Sequence, residues 1–176
     1  MNFQRLIPLA MCLMAVSASA CSDKKNPVAP SPDIFLATLN GANERPTGRT
    51  TPATGTATFT LTGDVLSWTI DMSSITNVTA GHIHIGGAEV AGGVLVGLTA
   101  SGLSNTRITG SLAKSAFTAP GSPNQAVTWD DMIALMRTGG AYVNIHTNNT
   151  ANDPTNNSGP GDFPAGEMRG QITKVS

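Results

Sequence analysis

The chain contains three histidines, and two of them are one residue apart. His82 and His84 lie in Gly81-His82-Ile83-His84-Ile85-Gly86, an apolar and polar alternation of period two that predicts a strand. On a strand, residues i and i+2 point to one face, so both imidazoles share a side while Ile83 and Ile85 take the other. His146 sits in a matching run, Tyr142-Val143-Asn144-Ile145-His146-Thr147, with Val143 and Ile145 opposite it. Where two such strands neighbour one another, three imidazoles converge. Imidazole nitrogens at about 2.0–2.1 Å suit zinc or copper, and three of them leave a fourth position for water, Glu89 or Glu167. The same residues also read as a hydrogen-bonded polar layer that locks two strands together. Sequence alone keeps both readings.

A second constellation is Gly166-Glu167-Met168-Arg169-Gly170-Gln171-Ile172. Strand periodicity puts Glu167, Arg169 and Gln171 on one face, and Glu167 with Arg169 reads as a structural polar pair rather than an acid/base couple. No Ser-His-Asp spacing, phosphate-binding glycine loop or paired catalytic carboxylate emerges, so the chain reads as non-enzymatic. The Asn-, Gly- and Pro-rich segment 148–162 reads as a long loop. Its Asn152, Asp153 and Asp162 offer oxygen ligands to Ca²⁺, at a spacing that matches no EF-hand.

The elements that must position these residues are strands. Phe59 and Leu61 alternate with threonines; Leu66, Trp68, Ile70 and Met72 repeat the pattern after Gly63-Asp64, which predicts a hairpin. Further strands are expected over 35–40, 80–85, 93–98, 106–112, 142–147 and 167–175. Gly (19) and Pro (11) punctuate the chain often enough to favour such short strands over a helical bundle. The expected fold is all-β: an antiparallel Greek-key β-sandwich or barrel of about eight strands, its edges shielded by closure. One short helix interrupts it. Thr128 with Asp131 forms a capping box, Trp129, Met132, Ile133 and Met136 share an apolar face, and Gly139-Gly140 ends the run. Trp68 and Trp129 are expected in the core, with the helix plugging one end of the barrel.

Composition narrows the function. Ten Lys+Arg against eleven Asp+Glu in 176 residues give a net charge of −1, which excludes the clustered basic excess of a nucleic-acid surface. The mean hydropathy of +0.01 is inflated by the N-terminus. There Arg5, the apolar run 6–16 and the small residues 17–20 read as an export signal, too short for the roughly 20 residues of a membrane-spanning helix. Ala18-Ser19-Ala20-Cys21 fits either an A-x-A peptidase site of a secreted protein or a bacterial lipobox, and the polar, Pro-rich tether behind it favours the lipobox, with Cys21 as the acylated residue (palmitate included). The expected division is a signal over 1–20, a Pro-rich tether over 21–33 and one domain over 34–176. That predicts an exported cell-envelope protein held to a membrane by its N-terminal lipid, at the outer membrane with a periplasmic or surface face. With Cys12 removed and Cys21 acylated, no thiol remains for disulfides or metal ligation.

Five motifs in order, Leu39-Asn40-Gly41-Ala42-Asn43-Glu44-Arg45-Pro46, Ala53-Thr54-Gly55-Thr56-Ala57, Gly81-His82-Ile83-His84, Tyr142-Val143-Asn144-Ile145-His146-Thr147 and Gly166-Glu167-Met168-Arg169-Gly170-Gln171, resemble the CHRD (chordin) domain family over 35–172. The resemblance implies a β-sandwich or barrel and an extracellular location. The bone morphogenetic protein partner of animal members does not carry over to a bacterial lipoprotein, so the partner is an unknown protein or small ligand. The His-x-His strand is also similar to that of copper/zinc superoxide dismutases, as is the general shape expected. Their dinuclear site needs more histidines and a disulfide, so dismutase activity is not expected. The leading reading is a binding module with a mononuclear copper or zinc site at His82, His84 and His146. The alternative is an extracellular interaction or matrix protein whose histidines are structural, and a metal-dependent enzyme stands third.

Overall fold

The computed structural model describes residues 31–98, 105–118, 127–149 and 158–176. The expected export signal, Cys21 and most of the tether lie outside the described residues. Within them, strands β1 (Asp33–Asn40), β2 (Thr54–Thr62), β3 (Val65–Ser73), β4 (Val78–Ile85), β5 (Val94–Gly97), β6 (Arg107–Ala113), β7 (Ala141–Thr147), β8 (Met168–Gln171) and β9 (Thr173–Lys174) form one antiparallel sheet. Its order is β5-β4-β7-β8-β1-β2-β3-β6, with β9 also pairing β1. The fold is all-β with one short helix, as expected, and the sheet curls into a half-barrel.

The β2–β3 hairpin turns at Gly63-Asp64 and keeps full register from Thr54↔Ser73 to Thr62↔Val65. Phe59, Leu61, Leu66, Trp68 and Ile70 face inward with Phe35 and Leu39 of β1, while the threonines of β2 stay towards water. Trp68 fits because Gly110, its partner on β6, has no side chain; a Cβ there would stand 2.5 Å from the indole. The indole Nε1 donates to the Leu98 carbonyl at 3.2 Å, tying the β3 side of the half-barrel to the end of β5. Helix α1 (Trp129–Thr138) closes the core with Trp129, Met132, Ile133 and Met136. Its start is held by the reciprocal Thr128–Asp131 capping box, and its end by Gly139 at φ +71°, a left-handed cap that suits glycine.

The strand expected over 167–175 is two pieces. Gly166 turns the chain before β8, and Ile172 leaves the ladder to bury its side chain and donate its N–H to the Ala141 carbonyl. Strand β8 is inserted between β7 and β1, where it meets β1 at Asn40↔Arg169.

Strand β7 is buried almost throughout, in contrast to the exposed alternate residues of β2 and β3. One face of the β4-β7-β8 region feeds the apolar core through Ile83, Val143, Ile145 and Met168. The other carries His82, His84, Tyr142, Asn144, His146, Arg169 and Gln171, and lies under the loops 41–49, 86–93 and 158–167.

Trp68 and Trp129 are 4 % and 5 % exposed. Truncating either to Ala is expected to cost about 3–5 kcal/mol, a large share of the 5–15 kcal/mol typical of a domain. Urea denaturation of the two single variants measures it, and wild-type midpoints for both would contradict this core.

Candidate metal centre

The β4/β7 register sets His82 opposite Asn144 and His84 opposite Tyr142, with His146 one step along, opposite Ala80. The three imidazoles therefore meet on the loop-covered face. One nitrogen from each lies within 4.8 Å of the others. Nitrogens at 2.0–2.1 Å from one tetrahedral ion stand about 3.3 Å apart, so closing the triad on an ion shortens its nitrogen separations by up to about 1.5 Å.

Hydrogen bonds fix which nitrogen each ring offers. His146 Nδ1 donates to the Pro164 carbonyl at 2.9 Å, which leaves its Nε2 as a bare acceptor in the neutral ring. His84 Nδ1 donates to the Gly92 carbonyl at 2.9 Å; its Nε2 is buried and has no partner. His82 Nδ1 lies 3.1 Å from His146 Nε2 and must donate to it. That spacing is close to the roughly 3.3 Å between two nitrogens on a tetrahedral ion. Binding through His82 Nδ1 needs only the other neutral tautomer of that ring. Two of three imidazoles are thus oriented by backbone carbonyls, the usual outer support of a histidine ligand.

Aromatic and cationic packing holds the rest. The Tyr142 ring stacks on His84 at 5.0 Å and 13°, and its hydroxyl donates to the Gly92 carbonyl and accepts from the Gly92 N–H. On Tyr142 lies the Arg169 guanidinium, 3.4 Å from the ring centroid. Burial lowers the pKa of all three histidines, that of His82 to about 4, with the neighbouring imidazoles adding to the effect. The triad is neutral at physiological pH, the state in which imidazole binds metal. Burial also raises the Glu44 carboxyl to about 7, against the opposing pull of Arg169 and Arg49.

The candidates for a fourth ligand do not join the triad. Glu89 is exposed and paired with Arg45 at 2.8 Å. Glu167 is fully buried and taken up by the Thr51 hydroxyl, the Thr147 hydroxyl at 2.6 Å and the Gly161 N–H at 2.9 Å. The expected Glu167–Arg169 pair is corrected as well. Glu167 precedes β8, so the two side chains take separate partners: Arg169 donates to the Val90 and Gly87 carbonyls at 2.9 and 2.7 Å. Asp162 is buried and accepts from the Ser158 N–H and hydroxyl, pinning its loop, while Asn152 and Asp153 lie outside the described residues. Sequence reading missed three contributors. Tyr142 and Asn144 were visible in the alternation that placed His146; Glu44 carried no signal, since nothing local says that a loop carboxylate is 2 % exposed.

Residues 35–153 match the model of the CHRD domain, and the chain belongs to that family. The match includes all three histidines and Glu44, and ends before Glu167 and Arg169. A search of curated proteins gives no match.

The metal-free protein takes up a proton on His82 only near pH 4, whereas the unfolded chain does so near 6.5; falling pH across that window therefore favours unfolding. Glu44 acts oppositely: its stabilising effect is present below about 4.5 and is lost as pH rises through about 7. Comparing the wild type with His82→Gln isolates the first effect. Between pH 6.5 and 4 the wild type is expected to lose stability relative to the variant, by at most about 1.4 kcal/mol per pH unit for the one group. Parallel denaturation profiles would refute it.

Proposed function

We propose that this chain is a non-enzymatic cell-envelope binding module whose His82, His84 and His146 hold one copper or zinc ion. The carrying observation is the unpartnered, buried Nε2 of His84 on a ring that belongs to a cluster of three imidazoles, one nitrogen from each lying within 4.8 Å of the others. A buried acceptor without a donor costs roughly 1–3 kcal/mol, and a cation at that point removes the deficit. An all-nitrogen set without thiolate or carboxylate suits copper and zinc better than calcium or magnesium. His82 and His146 are only half-buried, which leaves a route from solvent. The second reading, a polar layer in an interaction or matrix protein, draws on the His82–His146 hydrogen bond, which satisfies two ring nitrogens without metal.

Metal analysis and titration of the full chain, purified without a histidine tag, separate the two. Saturating Cu²⁺ or Zn²⁺ is expected to raise the melting temperature, by the equivalent of about 2.7 kcal/mol at a hundredfold excess over Kd. His82→Ala, His84→Ala and His146→Ala should each abolish that rise while remaining folded. Because burial holds the imidazole pKa values down, affinity should persist below pH 6.5 and fail towards pH 4. The absence of saturable binding tighter than about 10 µM would leave the structural reading standing.

We also propose that Cys21 is acylated and tethers the domain at the outer membrane. Mass spectrometry of the mature N-terminus should find lipid on Cys21, and Cys21→Ala should move a folded domain to the soluble fraction. An unmodified N-terminus at Met1 would overturn this.

A further inference from the structure

Three neutral rings make up the triad, and no carboxylate among the described residues completes it. Glu89 is paired with Arg45, Glu167 is sealed among its own donors, and Glu44 is engaged with Asn144. An ion held by the triad keeps its whole charge. Beside the rings stands a cation. Tyr142 of β7 lies flat against His84 of β4, with ring centroids 5.0 Å apart and 13° between the planes. From β8, on the other side of β7, the Arg169 guanidinium lies 3.4 Å from the centre of the same phenol ring. Three neighbouring strands thus contribute imidazole, phenol and guanidinium to one stack.

Little is arranged to cancel the Arg169 charge. The side chain is 2 % exposed, has no carboxylate within ion-pairing distance among the described residues, and is held by the Gly87 and Val90 carbonyls. Glu44 and Glu89 act on it from farther away. Its charge is felt at the triad: burial chiefly keeps the His84 imidazole neutral, and the fields of His146 and Arg169 add to that effect. The cost of an uncompensated charge in a half-buried site rises steeply with its size, and each further unit is repelled by Arg169. Over a separation on the order of 10 Å at an effective dielectric of about 20, that repulsion changes a binding constant roughly tenfold per unit charge. Coordination points the same way. Zn²⁺ almost always takes four ligands and Cu²⁺ favours a tetragonal set, whereas Cu⁺, with a filled d shell and half the charge, is held well by two or three neutral nitrogens.

We propose that the triad is built for monovalent copper, with Arg169, stacked through Tyr142 onto His84, biasing it towards Cu⁺ and against Cu²⁺ and Zn²⁺. The inference rests on the metal reading above and adds the charge of the ion. Arg169 acts by its field and not as a ligand. Tyr142 is the spacer between cation and site, and its hydroxyl is fixed by the Gly92 N–H and carbonyl. The same Gly92 carbonyl orients His84, so spacer and metal ligand share one anchor.

The test is the affinity of the untagged full chain for Cu⁺, Cu²⁺ and Zn²⁺ at neutral pH, by chelator competition, with Cu⁺ titrated in the absence of oxygen. The wild type should bind Cu⁺ more tightly than either divalent ion, which sets its Cu²⁺/Cu⁺ couple above that of aquated copper; a redox titration reads the couple directly. Arg169→Gln, which keeps an amide donor for the Gly87 and Val90 carbonyls, should shift the affinity ratio about tenfold towards Cu²⁺, a fall of about 59 mV in the couple. Arg169→Lys keeps the charge and should leave the couple close to that of the wild type. The order of the wild-type affinities decides the question even if neither variant folds. Cu²⁺ or Zn²⁺ bound as tightly as Cu⁺, a couple unmoved in folded Arg169→Gln, or one lowered equally by Lys and Gln would overturn this inference and leave the metal site intact. A wild type that binds none of the three ions overturns the metal reading, and this inference with it.

Discussion

Strand β7 is buried on both faces, and the rest of the structure answers to that constraint. Its backbone is satisfied by β4 on one side and β8 on the other, and Val143 and Ile145 enter the apolar core. Tyr142, Asn144 and His146 point the other way, where a β-sheet of this kind would ordinarily meet water. Here three loops cover them, so each polar atom needs a partner within the protein. The loops supply those partners as backbone carbonyls: Gly92 for His84 and Tyr142, Pro164 for His146, Gly87 and Val90 for Arg169. Covering loops and covered side chains hold each other in place.

The charges under the loops follow the same logic. Arg169 is 2 % exposed, yet no carboxylate lies within ion-pairing distance among the described residues. Its charge is met by the face of Tyr142, three carbonyl or amide oxygens and the more distant field of Glu44 and Glu89. Glu167 is sealed among three donors. Glu44, with one weak donor on Oε2 and none on Oε1, is the under-satisfied member. Because paired buried groups are the norm, the deficits gathered at Glu44, Asn144 and His84 mark where the layer is shaped for something besides itself.

The period-two alternation made the fold and the triad legible in sequence, because it fixes both which residues are buried and which side chains share a face. It placed His82 with His84 and predicted that His146 could join them once β4 and β7 paired. The hairpin at Gly63-Asp64 and the capping box at Thr128 were legible for the same reason: their chemistry is local. What escaped was set by the partners of a segment rather than its pattern. The break at Ile172 depends on where β8 and β9 meet β1, and the divergence of Glu167 from Arg169 depends on the turn at Gly166. Burial of Glu44 arises from loops packing on a sheet face more than a hundred residues away in sequence, which no window of the chain reports.

Alternation also separates the two tasks of the domain. Along β4 and β7 the core residues and the site residues are neighbours in sequence but lie on opposite sides of the sheet. Removing an imidazole leaves Ile83, Val143 and Ile145 in contact with the core, so its cost is confined to the carbonyls and ring atoms it deserts. The hairpin β2–β3 and strand β6, with the Trp68 indole seated on Gly110, form a half of the sheet that carries none of the triad. The unsatisfied acceptors at His84, Asn144 and Glu44 lie on the loop-covered face, opposite the side chains that the same strands send into the core, so their deficit is borne without disturbing the apolar packing on the other face.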